Sequence, residues 1–226
     1  MTLSNIKPET AKDDKEKTDF SLVESIFWEH CCGYWLLPEH LQRLKSSADF
    51  FSRPYDEENL LKQLDDITKE FTPESHAIHI EVDPQGNISL SANPYLEDRR
   101  PVLAELAKQN INTENIFLYH QTTNRATYDE AIAGRPDADE VLLWNEKGEV
   151  TESCTSNLVI EQGDKFITPP VSCGLLPGAY RSSLLQEERF VERPVTIKEL
   201  KECDKVYLVN SLVGWREVSN WGQGKS

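Results

Sequence analysis

The sequence predicts an α+β chain with α/β character: a tail over residues 1–18, a small α+β domain over 19–117, and a larger domain over 118–226. Three observations lead there. Two hairpin patterns bracket a pair of amphipathic helices in the first half. A run of short strands at antiparallel spacing fills most of the second half, followed by a helix and a closing strand. Between the halves an Asn-rich stretch from Asn110 to Asn115 sets the boundary near residue 118.

Residues 1–18 are almost all polar, with Asp13, Asp14, Lys15, Glu16 and Lys17 in sequence, and offer nothing to bury. Leu22, Val23, Ile26, Phe27 and Trp28, then Tyr34 to Leu37 beyond Gly33, read as two strands joined by a turn. Pro38 suits the first turn of a helix, and Leu41, Leu44, Ala48 and Phe51 give it a helical stripe with Arg43 just off that stripe. Leu60, Leu64, Ile67 and Phe71 mark a second helix that Asp56 is placed to cap. A strand from Ala77 to Val82 turns through Asp83-Pro84-Gln85-Gly86-Asn87 and returns along Ile88 to Leu90. A short helix is expected after Pro101 through Val102, Leu103 and Leu106.

In the second half, strands are expected over Val141–Trp144, Leu158–Glu161 and Phe166–Thr168, with turns at Lys147-Gly148 and Gly163. Pro177-Gly178 introduces a helix, Thr196 and Glu199 form a capping-box pair, and Val206 to Val209 closes as a strand. There is no internal repeat.

Composition narrows the function. Asp and Glu number 39 against 24 Lys and Arg, a formal charge of −15 that opposes a nucleic-acid partner. A small anion can still be held by one or two arginines and a few N–H groups. The cysteines, five in number and without C-x-x-C spacing, point to a reducing, cytoplasmic setting rather than a disulfide framework. His30, Cys31 and Cys32 lie in an expected turn and lack a second ligand pair, so no metal site is expected. No apolar run approaches the ~20 residues needed to cross a bilayer.

Five stretches bear on chemistry. Leu176-Pro177-Gly178-Ala179-Tyr180-Arg181 sets an open glycine turn before a helix, where converging N–H groups suit a phosphate; such turns are also common structural punctuation. Pro38-Glu39-His40-Leu41-Gln42-Arg43-Leu44 offers a guanidinium fork on a helix, which read by itself is a solvated arginine. Val150-Thr151-Glu152-Ser153-Cys154-Thr155-Ser156-Asn157 places a glutamate five residues before an asparagine. Tyr119-His120-Gln121-Thr122-Thr123-Asn124-Arg125 and Val209-Asn210-Ser211-Leu212 complete the set.

Taken in their order along the chain, the stretches resemble the class IV pyridoxal-phosphate aminotransferase family, of the 4-amino-4-deoxychorismate lyase type. The likeness is strongest to the lyase domain fused to aminodeoxychorismate synthase and spans most of residues 20 to 218. It implies a two-domain, D-amino-acid-aminotransferase-like fold, shortened here at the N-terminus because the strand and D-x-G segment that usually open it are missing. It implies pyridoxal 5′-phosphate as cofactor, a small-molecule substrate and a homodimer. Arg43, the backbone of Gly178, Ala179 and Tyr180, and Asn210 with Ser211 would hold the cofactor phosphate, and Glu152 would pair with the pyridine nitrogen and keep the ring an electron sink.

The sequence departs from the family pattern at two of these positions. Tyr180 stands where relatives often have threonine. Gln121 stands where the family keeps the lysine that forms the Schiff base and then shuttles the substrate proton, and an amide does neither. Arg125 is permanently charged and no lysine lies between Lys108 and Lys147, so the neighbouring sequence supplies no stand-in. The resemblance therefore implies pyruvate elimination from 4-amino-4-deoxychorismate to give 4-aminobenzoate, in folate biosynthesis, crippled at Gln121. Three alternatives stay open: transamination of an amino acid, a noncatalytic protein that binds pyridoxal phosphate or another phosphate ester, and Gln121 as a substitution in an otherwise active enzyme.

Overall fold

A computed structural model describes residues 19–221, with 72, 97 and 99 excepted. The tail expected over residues 1–18 and the last five residues of the second part lie outside the described residues.

The first half is a four-stranded sheet covered on one face by two helices. Strand β1 (Leu22–Glu29) lies between β2 (Gly33–Tyr34) and β3 (His76–Val82), and β4 (Ile88–Pro94) pairs with β3 on the outside, all antiparallel. Alternation decides the faces: Leu22, Ile26, Ile78, Ile80 and Val82 point into a core shared with Leu44 and Ala48 of α1 (Leu37–Phe50) and Leu60 and Leu64 of α2 (Glu57–Thr68). Glu24 sits on that same inward register and is 1% exposed. Asp56 caps α2, its side chain accepting from the Asn59 N–H at 3.0 Å. At the β3–β4 turn Asp83 accepts from the N–H groups of Gln85 and Asn87, and Gly86 takes φ 86°; a Cβ there would meet Pro54 at 2.8 Å.

Two expectations for this half are corrected. The second strand ends at Tyr34, because the chain turns through Leu36 at φ 56° and enters α1 with a proline in its first turn. The helix expected after Pro101 is instead a strand, β5 (Ala104–Leu106). Val102 is 5% exposed, Leu103 52% and Ala104 0%, a period of two that outweighs the helical spacing. Val102 donates to the Glu217 carbonyl, and β5 runs parallel to β6 (Glu140–Trp144), so its backbone groups are satisfied in a sheet.

Among the described residues the second sheet has nine strands. Its path runs from β10 (Phe190–Glu192) through β9 (Lys165–Thr168), β8 (Asn157–Gln162), β7 (Glu149–Ser153) and β6 to β5. Off that path β11 (Val195–Thr196) pairs with β7, and β12 (Lys205–Asn210) joins β8 to β13 (Gly214–Glu217). Only β5–β6 and β9–β10 are parallel pairs among the described strands. Val150, Leu158, Ile160, Val206 and Leu208 fill its core with Leu200 of α5 (Ile197–Glu202), which Thr196 and Glu199 start with a capping box. Two further helices serve the site, α3 (Ala126–Ala133) and α4 (Ala179–Leu184).

The two sheets are stitched together beside Gln121. Val23 donates to the Gln121 carbonyl at 3.0 Å and Thr123 to the Ser21 carbonyl at 3.0 Å, so the segment carrying residue 121 is held against the edge of β1. All five cysteines are free, three of them buried, while Cys31 and Cys32 stand exposed in the β1–β2 turn. No helix among the described residues is long and apolar enough to cross a membrane.

Candidate active site

A cleft of about 260 Å³ is lined from both sheets, and it brings together Arg43, Gln121, Glu152, Gly178, Ala179, Tyr180, Asn210 and Ser211. These residues come from α1, the loop after residue 118, β7, the start of α4 and the β12–β13 turn. Residues more than 160 positions apart in sequence thus meet at one surface.

Glu152 is deeply enclosed, at 3% exposure on a strand buried on both faces. Its Oε1 accepts from the Tyr128 hydroxyl at 2.9 Å, its Oε2 from Asn157 Nδ2 at 3.1 Å, and both from the Leu176 N–H at 3.2 Å. Burial pushes this carboxyl up to about 8, against the pull of Tyr128, Leu176, Arg181 and Arg125 in the other direction. A cationic partner in the cleft would supply the missing compensation.

Arg43 meets a partner that the sequence reading did not single out. Its Nε and NH2 donate to the two oxygens of Glu24 at 2.8 and 2.6 Å, and NH1 reaches the Pro177 carbonyl at 3.3 Å. Glu24 also takes His40 Nδ1 at 2.7 Å. Burial alone would raise the Glu24 carboxyl, but Arg43 and His40 outweigh it and hold it below the usual carboxylate range. Three of the five guanidinium N–H groups are engaged in this way, which fixes the fork and leaves two for a ligand.

Gly178 is required by space. A Cβ there would lie 1.9 Å from Asn157 Oδ1, because Asn157 reaches past it to donate to the Leu176 carbonyl at 2.9 Å. The first N–H groups of α4 have no partner within the helix, and no side chain at residue 178 covers them. Tyr180 turns its hydroxyl toward Trp215, whose Nε1 donates to it at 2.8 Å, and packs its ring 4.7 Å from that of Trp35. Trp215 itself is packed among Phe166, Phe190 and Tyr207. Asn210 is committed to its own turn: its Oδ1 accepts from Leu212 and Val213, and its Nδ2 donates to Ser156 Oγ. It shapes the turn that sets Ser211 in the cleft wall.

Gln121 is different. It is half-buried, its backbone is pinned to Val23, and its carboxamide has no hydrogen-bond partner among the described residues. None of the described residues lining the cleft is a lysine. The neighbouring His120 points away into a structural niche, bonded to Ser47 Oγ at 2.9 Å and packed on Phe50; burial there lowers its imidazole to about 4.

Sequence reasoning missed Glu24, Tyr128 and Ser25 as parts of this site. Glu24 carried a usable signal, a charged residue on the inward register of an otherwise apolar strand. Tyr128 sits on α3, whose other side chains are half-buried or exposed, so the helix has no apolar stripe to betray it. Ser25, on β1, lines the cleft without any sequence mark.

With this geometry in view the family can be stated. Residues 21–221 match the model of the family described as "Amino-transferase class IV". The chain belongs to the class IV aminotransferase family. It is 32% identical over 191 residues, 78% of this chain and 80% of the relative, to the Schizosaccharomyces pombe protein named "Putative aminodeoxychorismate lyase". The crystal structure of a "Putative amino-acid aminotransferase" from Mesorhizobium loti superposes with a TM-score of 0.84 at 29% identity, covering 89% of this chain and 99% of that one. A Legionella pneumophila structure named "Putative 4-amino-4-deoxychorismate lyase" shares the fold at a TM-score of 0.76 and 22% identity, over 95% and 88% of the two chains.

Proposed function

We propose that the cleft binds pyridoxal 5′-phosphate in an aminodeoxychorismate-lyase-like protein whose catalysis is disabled at Gln121. The observation that carries the reading is the meeting of Arg43, Glu152, Gly178 and Ser211 in one cleft. The donor set suits the cofactor: a fixed guanidinium, a glycine turn without a Cβ over free N–H groups, and a hydroxyl for a phosphate dianion, with a buried carboxyl for a ring nitrogen.

Bound there, the cofactor would supply an electron sink for a carbanion. The chain's own residues divide the remaining work. Arg43 and Ser211 bind the phosphate end; Asn157, Tyr128 and the Leu176 N–H orient Glu152; Gly178 permits close approach. Proton movement at the substrate carbon falls to residue 121, and a carboxamide supplies no base there. General acid–base catalysis is worth about 10²–10⁴-fold, so pyruvate elimination is expected to be slowed by about that factor. We carry the homodimer and the cytoplasmic setting as parts of the same proposal, the former testable by sedimentation.

A second reading is a binding protein without catalysis, favoured by the lack of lysine among the described residues of the cleft wall. The two separate in one experiment. Gln121→Lys is mixed with pyridoxal phosphate and 4-amino-4-deoxychorismate, and both the cofactor's absorbance and the release of pyruvate are followed. A covalent absorbance band with pyruvate release supports the lyase reading, whereas a band without pyruvate removes that substrate and leaves transamination or binding.

A further inference from the structure

Gln121 lines the cleft, half-buried, and its carboxamide has no hydrogen-bond partner among the described residues, which bears on the form of the ligand. A lysine at this position would hold an aldehyde covalently and, when unlinked, would repel a cationic ligand. Gln121 reverses both effects: it forms no bond to a carbonyl carbon, carries no charge, and offers an acceptor oxygen. Ser25 lines the same cleft, its hydroxyl paired with His79 Nδ1 at 3.3 Å. Two guanidinium groups line this cleft, and one of them has a carboxylate partner. Arg43 is neutralised by Glu24 at 2.6 Å; Arg125 is turned to the Cys154 carbonyl at 2.7 Å and lies over the Tyr128 ring.

We propose that the cleft takes its cofactor in the amine form, pyridoxamine 5′-phosphate, in preference to the aldehyde. The inference rests on the cofactor reading above and adds the chemical state of the ligand. An ammonium donor gains a charge-assisted hydrogen bond from Gln121, whereas the aldehyde gains at most a neutral one. The difference corresponds to about tenfold in affinity at the lower end for such bonds.

The test is direct binding, with no turnover required. Purified protein is titrated calorimetrically with pyridoxamine phosphate, pyridoxal phosphate and pyridoxine phosphate, the last a neutral isostere bearing a hydroxyl in place of the amine. Pyridoxamine phosphate is expected to bind about tenfold tighter than either of the others. Gln121→Leu should reduce that advantage to less than about threefold, and retained binding of pyridoxine phosphate, weakened by no more than one neutral hydrogen bond, reports that the variant's cleft is intact. Equal or tighter binding of the aldehyde overturns the inference and leaves the cofactor reading standing, as does an advantage that survives Gln121→Leu. Failure of all three phosphates to bind overturns both.

Discussion

At the Glu152 end of the cleft both carboxyl oxygens are engaged by Tyr128, Asn157 and Leu176, whereas at Gln121, in the same cleft, the side chain meets no described partner. Both positions have a fixed backbone. One lies within β7, and the other is held to β1 through Val23. The contrast separates two demands on one surface. Holding a ligand depends on many groups that orient one another, and that network is intact. On the proposed function, moving a proton depends on one ionisable group at one place, and there the chain has an amide.

Four experiments sharpen or break this contrast, beginning with the largest effect. Gln121→Lys should raise pyruvate release from 4-amino-4-deoxychorismate by about 10²–10⁴-fold if the rest of the cleft is competent. No gain would show that the loss extends beyond residue 121. Glu24→Ala strands the arginine of α1 and His40 in a buried site, and a destabilisation of about 3–5 kcal/mol is expected in urea titrations, with loss of phosphate-ester binding. A variant that kept both stability and binding would mean that Glu24 does not position Arg43. Gly178→Ala forces Asn157 away from the turn, which should cost about 1–3 kcal/mol and weaken ligand binding more than it lowers the thermal midpoint.

Tyr128→Phe is the mildest, removing one hydrogen bond for about 1 kcal/mol. It also tests the electrostatics of the Glu152 end. The Glu152 carboxyl titrates near 8 when folded and near its ordinary 4.5 when unfolded, so between those values the folded state keeps a proton that the unfolded chain releases. Its contribution to stability is therefore fully present below about 4.5, declines as pH rises, and is lost above about 8. Because the Tyr128 hydroxyl favours the ionised carboxylate, its loss moves the upper end of that window to higher pH; Glu152→Gln should remove this residue's share of the slope. Thermal midpoints from pH 5 to 9 read both outcomes, and identical profiles in all three proteins would discard the assignment.

Much of the architecture was legible where a periodic signal existed. The apolar spacing of α1 and α2, the Asp83–Asn87 turn and the Thr196–Glu199 cap all correspond to elements of the fold. The signal failed where burial was not one-sided. β7 is buried on both faces and has no alternation, and α3 shows no apolar stripe. The segment after Pro101 presented helical spacing until its neighbours in the sheet decided otherwise.

For the site, the ordered motifs carried a family resemblance, and that resemblance implied which residues to watch and a missing lysine at Gln121. Tertiary structure alone decided that Arg43 is clamped by Glu24, that Asn210 shapes a turn, and that no described lysine lines the cleft. The reason is physical: a side chain's charge and hydrogen-bonding capacity are set by its chemistry, but which of its donors and acceptors remain free is set by partners that only folding brings within about 3 Å.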